Sequence, residues 1–246
     1  MNKHYLLHLP HCGTDIPKKY LDDYLLSNDD LQENIYQYCD LYTDDLFDSL
    51  FHAFGGVKNR YSRLFFDPER FGDDDAEEMH QKYRIGWFYE NAILANIPLR
   101  KTTHKDKIRK YFDNHHDELN LLTKQKLDTY DKCTVIDCHS FSNERYWFHD
   151  KNLELPDICI GFEERHVDKE LVEIIKEEFK EYNIGINIPY AGSLVPTNYW
   201  QKDDRVKSVM IEINKKLYLE PNNMTKSDNY SNIKQKLNNI LLKITK

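Results

Sequence analysis

Apolar and polar positions follow two rhythms along this chain. Residues 4–9, 134–137, 157–161 and 207–213 are short apolar runs that end abruptly in polar residues, as strands buried in a sheet do. Between the first two, Leu31, Ile35, Tyr38, Tyr42 and Leu46 fall close to helical spacing behind the capping candidates Ser27, Asn28 and Asp29. This predicts one long helix to about Phe54, stopped by Gly55 and Gly56. Val57 to Phe66 reads as extended and DPERFGDDDAEE as a charged loop, with further helices expected at about 79–95, 106–130, 166–182 and 228–244. Strands alternating with helices imply an α/β fold with a mainly parallel sheet covered on both faces, in one domain over 1–246.

Composition narrows the function. A chain of 246 residues with 40% hydrophobic content can bury a substantial core. Its 34 basic and 42 acidic residues give a net charge of -8, and no Lys/Arg cluster suits a phosphate backbone, so nucleic acid is not expected as a partner. No apolar run approaches the ~20 residues that cross a bilayer, and the N-terminus passes into a polar motif without a signal-peptide cleavage region. No membrane association and a cytoplasmic location are the expectations. The 5 cysteines, Cys12, Cys39, Cys133, Cys138 and Cys159, lack CxxC spacing and read as buried or half-buried thiols rather than disulfides or a thiolate metal cluster.

Polar residues at strand ends carry the candidate chemistry. VIDCHSFSN, 135–143, delivers His139 to the C-terminal end of a buried strand, where active sites of open α/β sheets lie. HLPHCGTDIP does the same for His11. A catalytic zinc site takes three His or carboxylate ligands and keeps an open position. The third ligand is open among Asp15, Asp40 and Asp44, the latter two placed one turn apart on the expected long helix. Asp40 is preferred because it interrupts a cysteine- and tyrosine-rich stretch, and a buried carboxylate needs a cation or donors. Glu212, in VMIEINKKLYL, stands where another apolar strand turns polar, the place for a general base that later serves as acid. Arg63 and Arg70 flank Asp67 in SRLFFDPER and offer forks for a substrate carboxylate or an oxyanion, with Asp67 orienting one of them. Either His115 or His116 would contact substrate from the middle helix, unless both are solvated. Asn187 and Tyr190, in NIPYAGS, belong to a pocket-covering loop or to a structural turn. The acidic run from Asp73 to Asp75 with Glu77 and Glu78 lacks the spacing of a calcium loop and reads as solvated.

Taken in order, PHCGTDIP, CDLYTDDLF, SRLFFDPER, YFDNHHDEL, VIDCHSF, NIPYAGS and IEINKKLYL resemble the N-formylglutamate amidohydrolase family across residues 10–219. That family is related to zinc exopeptidases, whose DxHSxS segment is similar to Asp137 to Ser142, and to aspartoacylases, whose DxNR segment is similar to Asp67 to Arg70. The resemblance implies a three-layer phosphorylase/hydrolase-like fold, with His11, Asp40 and His139 holding Zn2+. It also implies Glu212 as the catalytic carboxylate, Arg63 and Arg70 as catalytic or substrate groups, and His116 rather than His115 as the helix histidine. Glu69 stands where the family usually has Asn, and NIPYAGS lacks the family's Arg and paired glycines.

The expected activity is zinc-dependent hydrolysis of the amide of a small acidic N-acyl amino acid, such as N-formylglutamate, by an activated water. A zinc carboxypeptidase or cell-wall peptide amidase is the alternative enzyme. A non-catalytic binder of metal or acidic ligand, or a purely structural α/β domain, is the alternative of another kind. His/carboxylate ligation also suits manganese, iron or nickel.

Overall fold

Six strands build the sheet: β1 (Tyr5–Leu9), β2 (Gly56–Lys58), β3 (Cys133–Phe141), β4 (Ile158–Gly161), β5 (Ile184–Ile186) and β6 (Val206–Asn214), in the order β2-β1-β3-β6-β4-β5. Every pair is parallel except β4 with β6. The structure, a computed structural model, describes residues 3–93, 97–143, 152–222 and 224–245.

Side chains alternate across a strand with a period of two, so each strand separates its residues between two faces. On one face Leu7 and Leu9 of β1, Ile136 and Cys138 of β3, and Val209, Ile211 and Ile213 of β6 enter the main core. There they pack with helices α3 (Asp48–Phe54), α6 (Lys169–Glu178) and α7 (Tyr230–Ile244). The opposite face changes character along its length. At its N-terminal end Leu6, Cys133 and Val206 pack with Leu119 and Leu127 of helix α5 (Lys105–Tyr130). Toward the C-terminal edge the same face carries His8, Asp137, His139 and Glu212, all buried. Register aligns them, with His8 opposite Asp137 and His139 opposite Glu212. The α5 stripe His115, Leu119, Thr123, Leu127 repeats this gradient at i,i+4 spacing, with the histidine at the polar end. These layers are the α/β architecture expected from the alternating pattern.

The long helix expected to about Phe54 is instead three pieces: α1 (Asn28–Tyr38), α2 (Thr43–Leu46) and α3. Helical spacing continues across the break, but the backbone does not, since Tyr42 is left-handed at φ 64°. Long-range hydrogen bonds make the difference. The Asp40 amide donates to the His11 carbonyl at 2.9 Å, and the Thr43 hydroxyl donates to the Asp40 carbonyl at 2.7 Å. Buried Lys215, just beyond β6, donates to the carbonyls of Gln37 and Cys39 at 3.1 and 2.7 Å, satisfying the C-terminal end of α1. Asp40 and Asp44 therefore do not share a helix: Asp40 lies in the break, buried, and Asp44 is exposed.

Other expected boundaries also shift. The helix placed at 79–95 is only α4 (Glu78–Tyr83), ended by left-handed Arg84 at φ 61°, and 94–96 lie outside the described residues. The run expected as extended to Phe66 is strand only to Lys58; beyond it Tyr61 forms an isolated bridge with Asp15 and the rest is turn. The helix expected at 166–182 starts later, where the Asp168 carboxylate caps it by accepting from the Leu171 amide at 3.0 Å. Edge strand β5 had no counterpart in the sequence reading, being only Ile-Gly-Ile.

Replacing Lys215 with Met would leave two buried carbonyls without their donor. We expect Lys215→Met to lower unfolding free energy by about 1–3 kcal/mol, measured by urea titration. An unchanged midpoint would show that this tie contributes nothing.

Candidate metal centre

Three ligand-competent groups meet at the C-terminal edge of the sheet. His11 arrives two residues beyond β1, Asp40 from the break after α1, and His139 from the last turn of apolar-to-polar alternation in β3. One ligand atom from each lies within 4.8 Å of the others, and all three residues are buried. Asp40 Oδ2 is 3.7 Å from His11 Nδ1 and 3.3 Å from His139 Nδ1. His11 Nδ1 and Asp40 Oδ2 are buried without a hydrogen-bond partner. Orphaned buried polar atoms are costly, and a cation between them would satisfy both.

The outward nitrogen of each imidazole is held by a carboxylate. His11 Nε2 is 2.8 Å from Asp67 Oδ1, and His139 Nε2 is 3.0 Å from Asp137 Oδ1. Such partners set the tautomer and aim Nδ1 inward, as outer-sphere carboxylates do around histidine ligands. Asp67 in turn accepts from Arg63 at 2.7 Å and from the Tyr89 hydroxyl at 2.5 Å. Burial alone would raise its pKa, but Arg63 and His11 hold it well below the usual carboxylate range.

A second His/carboxylate group, His8, Glu69 and Asp137, lies beside the first. His8 Nδ1 is 2.9 Å from Asp137 and 3.1 Å from Glu69, and its Nε2 is 2.8 Å from His115 Nε2. Burial opposes its protonation, yet hydrogen bonds to the two carboxylates raise its pKa to about 9. Burial and cationic His8 push His115 well down, so His115 accepts this proton bond as the neutral partner. Two carboxylates thus share one imidazole nitrogen, and the group holds more negative than positive charge.

Glu212 faces the same space as the ligand set, and its Oε2 is buried without a partner. Burial, with the nearby Asp40 carboxylate adding to it, raises its pKa from 4.5 to about 8 despite the opposing charge of His139. A carboxylate near neutrality is suited to take and return a proton. The cavity these groups line has a volume of about 600 Å³ and also presents Arg63, Arg70 and Tyr190.

The model of the N-formylglutamate amidohydrolase family matches residues 4–219. This chain belongs to that family. Among solved structures, it is similar to N-formylglutamate amidohydrolase from Ralstonia eutropha JMP134, with 20% identity over 98% of this chain and 92% of that one and a TM-score of 0.83. It is also similar to gene product Atu2144 from Agrobacterium tumefaciens, with 18% identity, 99% and 92% coverage and a TM-score of 0.63. No curated protein matches the sequence. As a member of an amidohydrolase family, the protein belongs among enzymes that hydrolyse amides.

Within this family member, the structure brings His11, Asp40, His139, Glu212, Arg63, Arg70 and Tyr190 to one cavity. It does not bring the other ligand candidates there. Asp15 pairs with Arg60 at 2.7 Å on the surface, and Asp44 is exposed. His115 and His116, for which solvation was the alternative, are both buried. His116 lines a neighbouring cavity, packed 4.4 Å from the Phe112 ring with both nitrogens unpartnered. The Asn187 side-chain oxygen accepts from the amides of Phe162 and Gly192 at 2.9 and 3.2 Å, so it shapes its loop. His8 and Glu69 went unrecognised as site residues. His8 interrupts the otherwise apolar YLLHL on the face shared with Asp137, which is the signal that was available.

The raised pKa of Glu212 has a stability consequence in the metal-free protein. Protonation is favoured in the fold, so this contribution is full below 4.5 and is lost as pH rises through about 8. Glu212→Gln removes that dependence. The melting temperature of the variant relative to wild type should rise between pH 4.5 and pH 8.5; a constant difference would contradict the shift.

Proposed function

We propose that this protein hydrolyses the amide bond of an N-acyl amino acid, in the manner for which N-formylglutamate amidohydrolases are named, with zinc held by His11, Asp40 and His139. The observation that carries this reading is the pair of orphaned atoms, His11 Nδ1 and Asp40 Oδ2, facing the same cavity as Glu212. Two imidazoles and a carboxylate, each imidazole buttressed by a carboxylate, form a donor set that fits zinc with a position left for substrate. Manganese, iron or nickel would accept the same ligands. The chemistry such an ion supplies when bound is polarisation of the acyl oxygen and acidification of a water.

The remaining roles belong to the chain itself. Glu212 takes the proton of the attacking water and passes it to the leaving amine, acting first as base and then as acid. Arg63, buttressed by Asp67, stabilises the oxyanion that develops at the acyl carbon. Arg70 lies on the cavity wall with its Nε 3.8 Å from Asp67, and its fork binds the substrate carboxylate. Tyr190, packed 5.6 Å from Phe141, closes the cavity from the loop side. His116 contributes to the far wall beyond Arg70. Products are a carboxylic acid and a free amine.

Elemental analysis of protein purified without a metal-affinity tag tests the centre. Wild type should carry near-stoichiometric zinc, and His139→Ala should lose it. Glu212→Gln should keep its zinc while turnover of N-acyl amino acids falls by about 10²–10⁴-fold. A wild type that takes up no metal on addition would overturn the centre, and full activity in Glu212→Gln would overturn its acid/base role. Stoichiometric zinc with no turnover of any amide would instead identify a silent binder.

A further inference from the structure

The metal-centre cavity does not end at Arg70. A second cavity of about 240 Å³ opens beyond it, and Glu69, Arg70, Ala191 and Met210 line both. The outer wall of this second space is aromatic. Phe71 and Trp200, 51% and 40% exposed, stand with their rings 5.9 Å apart. Apolar surface of Pro68, Leu194 and Val195 continues inward from them.

The polar side chains of this space are Glu69, Arg70, His116, Glu163 and Ser193. Glu163 accepts from the Trp200 indole nitrogen at 3.1 and 3.0 Å and from the Gln201 amide at 3.0 Å. Its partners there are neutral donors, so its charge is not cancelled by them, and the bond fixes the face that Trp200 presents. Glu69, at the junction, is already turned to His8 and His139. The one cation on the wall is Arg70, which sits where the two cavities meet.

We propose that this second cavity receives the side chain of the substrate's amino-acid moiety and selects an apolar, preferably aromatic, side chain over an acidic one. The assignment rests on the amide-hydrolase reading above. With the α-carboxylate on Arg70 and the scissile amide in the larger cavity, a side chain directed past Arg70 meets Phe71 and Trp200. A phenyl group there gains offset or edge contact with both rings and loses water-exposed apolar surface. A carboxylate in the same place meets Glu163, whose partners are neutral, with Arg70 already engaged, and like charges in a confined space repel. Exposed aromatic surface joined to a site of this kind marks ligand recognition rather than a contribution to the core.

Calorimetric titration of zinc-loaded Glu212→Gln, in which turnover is slowed enough for binding to be read, reports the selectivity directly. N-formyl-L-phenylalanine should bind at least about tenfold tighter than N-formylglycine, and N-formyl-L-glutamate no tighter than N-formylglycine. Adding Phe71→Ala and Trp200→Ala should bring the phenylalanine-to-glycine affinity ratio toward one, and either substitution alone serves the same comparison. Tightest binding of the glutamate compound, or a ratio that survives both substitutions, would overturn the assignment. Turnover of the same compounds by wild type reports separately on the hydrolase reading. If none is hydrolysed while the affinity order holds, the catalytic reading falls and the cavity assignment stands.

Discussion

Charge buried without water must be matched by charge or donors placed within reach, and this requirement organises the C-terminal edge of the sheet. Removing an ionised group from water costs several kcal/mol even after relaxation. His8, Asp67, Asp137, His139 and Glu212 are nonetheless all buried on or beside three adjacent strands. Apart from Glu212, they are tolerated because each answers another. Asp137 bridges His8 and His139, Asp67 joins His11 to Arg63, and His8 lies between two carboxylates. His11 Nδ1, Asp40 Oδ2 and Glu212 Oε2 are among the buried atoms left without a hydrogen-bond partner, and all three residues line one cavity. The polar network thus holds the His11 and His139 rings in one orientation and leaves unpaired atoms on the cavity wall.

Much of this architecture was legible in the sequence because two simple periodicities carry it. The four apolar runs that ended in polar residues are strands β1, β3, β4 and β6, and the helices α5 and α7 fall close to where their spacing placed them. The strand-end position of His11, His139 and Glu212 brought them to one edge, as parallel strands must. What periodicity could not reveal is structure imposed from a distance. Leu31 to Leu46 keeps helical spacing, contains no Gly or Pro, and still breaks, because the His11 carbonyl and the Lys215 ammonium claim the backbone groups that a continuous helix would use.

The same limitation explains the second layer of the site. His8 reads as one polar residue in an apolar strand until its partner in register is known, and only pairing with β3 sets it against Asp137. Glu69 lies in a charged loop, where an acidic residue carries no signal; tertiary structure turns its Oε1 toward His8 and His139. Arg63 and Arg70 flank Asp67 at helix-like spacing, yet no helix is there, and the clustering comes from a turn-rich segment folded over the carboxylate. Long-range geometry therefore supplied the outer shell of the site, while local pattern supplied most of its inner one.

Lys215 follows Glu212 by three residues, just past the end of β6, and its ammonium grips the carbonyl immediately preceding Asp40. One side chain thus ties the end of β6 to the segment that carries Asp40, although the two lie far apart in sequence. Loosening that fastening would release the Asp40 segment alone, because Glu212 stays paired in register with His139 on one side and Cys159 on the other.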